Sequence, residues 1–105
     1  MTNLPKNYKW MMSKFENVLA AHQDLGKALY DAGPLDTKTA QLIKLAAAAA
    51  TASEGGVHSH SKRALEAGAS KDEIYHTLIL LASSVGFSNA AASVSWARDI
   101  LEGDE

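Results

Sequence analysis

The residues of this chain whose types and spacing can do chemistry gather between Thr51 and Ile74, in the run TASEGGVHSHSKRALEAGASKDEI. His58 and His60 follow a glycine pair, Gly55-Gly56, with Glu54 just upstream. An imidazole titrates near neutral pH, so it can take up or release a proton under ordinary conditions. The helix start that the glycines open offers unpaired N–H groups and partial positive charge, which suit an anionic group. His60, one turn into that helix, is the candidate proton-transfer residue, and Glu54, in the glycine loop, is the candidate acid beside it. Residues two apart on a helix point about 200° from each other, so His58 and His60 are not expected to share one pocket or one metal. His60 falls on the side of the small residues Ala64 and Ala67, the packed side, which leaves His58 and Lys62 pointing outward. A metal site built from Glu54, His58, His60 and His76 is discounted on helical spacing, and no metal and no cofactor are expected.

Five helices are predicted to position these residues. The first covers Lys6 to Asp31, where Tyr8, Met11, Phe15, Val18, Leu19, His22, Leu25 and Leu29 recur at three- and four-residue steps. His22 in that stripe reads as a core histidine with one hydrogen bond. Gly33-Pro34 ends the helix. Asp36 caps a second helix from Thr37 to about Ala52, with Leu42, Leu45, Ala46 and Ala49 facing the core. Its five consecutive alanines bury little area but let a neighbour come close. The third helix, Val57 to Ala67, carries the two histidines, and Gly68 closes it at a position that favours left-handed backbone. Ser70 and Glu73 have the spacing of a capping box and start the fourth, Lys71 to Val85. His76 there reads as half of a surface pair with Asp72 or Glu73. Gly86 breaks the chain, Ser88 can cap, and Asn89 to Glu102 makes the fifth, with Ala91, Val94, Ala97, Arg98 and Leu101 along one line. Gly103, Asp104 and Glu105 are expected to fray.

The run from His60 to Ile74, HSKRALEAGASKDEI, resembles the core motif of the carboxymuconolactone decarboxylase and alkylhydroperoxidase D-like family, H-x3-A-x3-G-A-[ST]-x2-E-I. The matching residues are His60, Ala64, Gly68, Ala69, Ser70, Glu73 and Ile74. Leu35 to Ile43 is similar to the family's entry into its second helix, and Gly86-Phe87 to its break before the last one, so the resemblance covers residues 33–102. It implies an all-α, five-helix bundle with a central antiparallel helical hairpin around His60, and a homo-oligomer, trimeric or hexameric, whose interfaces border the pocket. The chemical residues of the family are largely replaced. Redox members carry C-x-x-C ahead of the histidine, where this chain has Ser53 and Gly56. They also carry a proton-relay Glu in the second helix, where this chain has Gln41. The decarboxylase branch has an acid four residues before the histidine, again Gly56. With no cysteine in the sequence, thiolate attack on a peroxide has no nucleophile.

Composition narrows the rest. The 105 residues suit a single domain near the size at which small helical proteins gain stability by associating. Helix four is apolar nearly all round, which also points to a self-association surface. A net charge of −2, with Lys62-Arg63 the only adjacent basic pair, speaks against nucleic acid. The longest apolar run, Leu45 to Ala50, is too short for a bilayer, and MTNLPKNYKW lacks the apolar core of a signal peptide, so a soluble, cytoplasmic protein is expected. Three functions follow. The first, implied by the resemblance, is a cysteine-independent, decarboxylase-like enzyme in which His60 moves a proton on a small anionic substrate, a carboxylate or lactone. The second is a helical oligomer that has kept the scaffold and lost the chemistry. The third, family-type peroxidase activity, is disfavoured by the missing thiols.

Overall fold

Two helical units meet in sequence at Pro34, one spanning Met1–Pro34 and the other Leu35–Glu105. The computed structural model describes residues 6–103, and every regular element among them is helical. Asp104 and Glu105, expected to fray, lie outside the described residues.

The first unit contains α1 (Lys6–Lys14) and α2 (Glu16–Asp31) rather than the single helix predicted there. The interruption falls at Phe15, whose backbone leaves the helical region at φ −125, ψ 49. Its cause is local. The Ser13 hydroxyl donates to the Trp10 carbonyl at 2.9 Å, a back-bond that competes with the helical ladder. The Phe15 ring meets Trp10 edge-on, with centroids 5.9 Å apart. Neither helix has a buried residue, and His22 is exposed, so it is not the core histidine its apolar neighbours suggested.

The second unit holds α3 (Thr37–Ala50), α4 (Glu54–Glu66), α5 (Lys71–Ile79), the short α6 (Ala82–Val85) and α7 (Phe87–Leu101). Its punctuation follows the sequence signals closely. Asp36 accepts from the Thr39 N–H at 2.8 Å. Ser70 and Glu73 form the reciprocal capping box, with Glu73 N–H donating to Ser70 and Ser70 N–H to Glu73. Gly68 and Gly86 take φ of +100° and +101°, which a side chain would make costly. α3 and α4 run antiparallel, as expected: Gln41 meets His60 near one end of the pair, while Ala48 lies against Gly56 near the other.

The core joins Leu45 and Ala49 of α3, Val57 and Ala64 of α4, Ile74 and Leu78 of α5, and Ala97 and Leu101 of α7, with Ala69 closing one end. Three details depart from the sequence reading. α4 starts at Glu54, not Val57, because Ser53 caps it by accepting from the Gly56 N–H at 3.1 Å. The fourth predicted helix divides near Leu80, where the ladder tightens to three-residue steps, Leu81 N–H to Leu78 and Ser84 N–H to Leu81. α7 begins at Phe87 without a side-chain cap from Ser88, and it buries Ala90, Ser93, Ala97 and Leu101. Ala97 and Leu101 of the expected line are buried and Val94 packs against the core, whereas Ala91 and Arg98 are exposed and Ala90 and Ser93 are buried instead. A serine can occupy that line because the Ser93 hydroxyl donates back to the Asn89 carbonyl at 3.0 Å. The Asn89 amide in turn donates to the Ala49 carbonyl at 3.0 Å, which also accepts from the Ala52 N–H, and so ties α7 to the end of α3. Among the described residues no helix is long and apolar enough to cross a membrane.

Candidate functional site

α4 is flanked by α3 on one side and α7 on another, and its two histidines are divided between them. His60 faces α3. Its Nδ1 lies 2.9 Å from Oε1 of Gln41, a residue buried at 5% exposure. An amide oxygen only accepts, so Nδ1 carries the proton of the neutral ring and Nε2 keeps a lone pair. The ring itself is half-buried. Burial first, and then the positive charges of Arg63 and Lys44, hold its pKa below the ordinary histidine value. His60 is thus a neutral base with a set tautomer and two cations close by.

His58 faces α7 rather than solvent. Its Nε2 stands 3.0 Å from Oδ2 of Asp99, and both side chains are about one-third exposed. The 200° argument separated the two histidines correctly, but the outward assignment of His58 is corrected, because the far side of α4 is covered by another helix. Glu54 joins this second group: ligand atoms of Glu54, His58 and Asp99 all lie within 4.8 Å of one another. No hydrogen bond joins Glu54 to His60. The discount on spacing does not hold for Glu54 and His58, which stand four residues apart and share a face of α4. Asp99 was not singled out from the sequence, since nothing local connects it to a residue forty-one positions earlier.

His76 is exposed, and its proposed acid partner Glu73 is engaged elsewhere, capping Ser70 and pairing with Lys38 at 3.0 Å. Ser61, next to His60 on α4, is fully buried, and its hydroxyl has no hydrogen-bond partner among the described residues. A groove of about 550 Å³ is lined by Tyr75, Val94, Arg98 and Glu102, not by His60.

Gly56 occupies the position four residues before His60. A Cβ built there would come within 2.8 Å of both the Ala48 Cβ and the Ser53 Oγ, so the first turn of α4 is seated against α3 in space that only glycine leaves.

The family model of the carboxymuconolactone decarboxylase family matches residues 16–99. The chain belongs to the carboxymuconolactone decarboxylase family. The match begins some twenty residues before the segment that carries the sequence resemblance and takes in α2. No curated protein and no solved structure gives a significant match. Within this carboxymuconolactone decarboxylase domain, the two positions that the resemblance paired, Gln41 and His60, are in contact. The two that it assigned to redox sulfur hold Ser53, which is spent on a helix cap, and Gly56.

Proposed function

We propose that the chain is a cysteine-independent enzyme of its family in which His60 moves a proton beside the carbonyl of a small carboxylate or lactone. The observation that carries this reading is the held imidazole. Gln41 fixes the Nδ1 proton, so Nε2 presents its lone pair, and the lowered pKa keeps that lone pair available at neutral pH. Lys44 and Arg63 put positive charge near the ring, which favours an anionic substrate and the enolate formed when a proton leaves the adjacent carbon. Gln41, unlike a glutamate, cannot relay the proton onward; it orients the ring. The experiment is a screen of small lactones and carboxylates for isomerisation or decarboxylation, with His60→Ala and Gln41→Ala beside the wild type. His60→Ala is expected to lose activity, and Gln41→Ala to lower turnover while shifting its pH profile. A wild-type rate shared by His60→Ala would end the proposal.

A second reading is favoured by a different observation. Ile79, Leu80, Val85 and Phe87, from the end of α5 to the start of α7, are all exposed, Phe87 by 69%. Such a patch suits a homo-oligomer, trimeric or hexameric, that serves as a binding or assembly module. In that reading the chemistry is lost, so the two part at His60: activity that disappears in His60→Ala supports the enzyme, and no turnover by the wild type supports the module. Peroxide turnover with a dithiol donor is expected at the uncatalysed background.

A further inference from the structure

We propose that Glu54, His58 and Asp99 form a binding site for a divalent cation of the zinc class, on the α7 side of α4 and independent of the His60 reading. The first argument is distance. Two donors bound to one zinc at about 2.0–2.1 Å, at right or tetrahedral angles, stand about 2.9–3.4 Å apart. His58 Nε2 and Asp99 Oδ2 already stand 3.0 Å apart, so an ion replaces the proton between them without moving either helix. Glu54 completes the set within 4.8 Å, and its side chain, exposed and at the start of α4, is free to close the remaining gap.

The second argument is charge. The trio sets two carboxylates around one imidazole, and among the described residues neither carboxylate pairs with a lysine or arginine. The His58 contact engages one of them; Glu54 has no hydrogen-bond or ion-pair partner there. A divalent ion balances the trio. The third argument is donor chemistry. One imidazole with two carboxylates favours zinc, or cobalt and nickel as its surrogates, over magnesium and calcium, which prefer all-oxygen sets. Three protein ligands, one exposed and two partly buried, leave a coordination position for water, the arrangement of an open rather than a closed zinc site. The i,i+4 pair on α4 supplies two ligands from one rigid face, and α7 supplies the third, so binding ties the two helices together.

The test is calorimetric titration of chelator-stripped full-length protein with zinc chloride, repeated with magnesium chloride. Saturable binding of one zinc per chain is expected, with no comparable magnesium binding. Glu54→Gln and Asp99→Asn should each weaken it at least tenfold, a loss in the range seen when metal-site contacts are removed. His58→Ala should abolish it, whereas His22→Ala and His76→Ala should leave it unchanged. Zinc should also raise the Tm of the wild type, and raise that of Glu54→Gln less at the same concentration. Because Glu54 makes no contact that folding needs, its variant keeps the test valid even where His58→Ala fails to fold. The absence of saturable binding at millimolar zinc, or zinc affinity unchanged in Glu54→Gln and Asp99→Asn, overturns the proposal.

Discussion

An imidazole with one nitrogen committed to a buried amide has only the other for chemistry, and the surroundings of His60 set how tightly that nitrogen holds a proton. The folded pKa lies below the unfolded one, so between the two the unfolded chain binds more protons and stability rises with pH. The contribution is therefore unpenalised above the ordinary histidine value and declines as pH falls through that value toward the folded one. Nitrogen-detected NMR of the ring is expected to show titration below pH ~6.5 and a protonated Nδ1 in the neutral form. In His60→Gln the fall in stability over that acidic window should shrink, as read by urea melts at a series of pH values. Neighbouring Ser61 gives a prediction of opposite sign to most core changes. Its hydroxyl is buried without a partner, so Ser61→Ala should be neutral or stabilising by about 1 kcal/mol in chemical denaturation. Neither feature was legible from residue types alone. His60 could be nominated, but its partner Gln41, predicted only as a lost relay acid, turned out to be buried on the core face of α3.

Helix boundaries were the part of the chain most open to reading, because capping chemistry is local. Asp36, Gly68, Ser70 with Glu73, and Gly86 each mark a boundary that the structure keeps. Ser70→Ala removes the acceptor for the Glu73 N–H and is expected to cost about 1 kcal/mol by thermal or urea melting. The capping box also holds the Glu73 carboxyl below its usual range, through the Ser70 N–H first and Lys38 next. That stabilisation is present above the ordinary carboxylate pKa and is lost as pH falls through the folded value; its main donor is the Ser70 backbone N–H, which alanine keeps, so it is the Glu73→Gln deficit that should narrow in acid. Where helices were misread, tertiary or back-bonded contacts decided the matter. Ser13 back-bonds beside the break at Phe15 in the first predicted helix, and the self-satisfied Ser93 joins Ala97 and Leu101 on the buried side of α7. The pairing of His58 with Asp99 belongs to the same class: it exists only because α4 and α7 pack together.

For the molecule as a whole, the all-α architecture and family were legible from one motif and its spacing, whereas the expectation of association rests on surplus apolar surface. Exposed Leu80 and Phe87 make the expected outcome specific. Sedimentation of the wild type should show an oligomer, and Leu80→Asp with Phe87→Asp should shift it toward the monomer while leaving helicity intact. Core integrity should depend on Leu78, fully buried in the second unit, whose replacement by alanine is expected to cost about 2–5 kcal/mol. The tight seat of Gly56 against Ala48 reaches further than stability. A thiol cannot be installed at position 56 by one substitution without strain of roughly 1–3 kcal/mol, and trimming Ala48 to glycine first sacrifices about 1 kcal/mol of helix propensity. Installing sulfur chemistry at this position therefore lowers stability at the first step in either order of mutation.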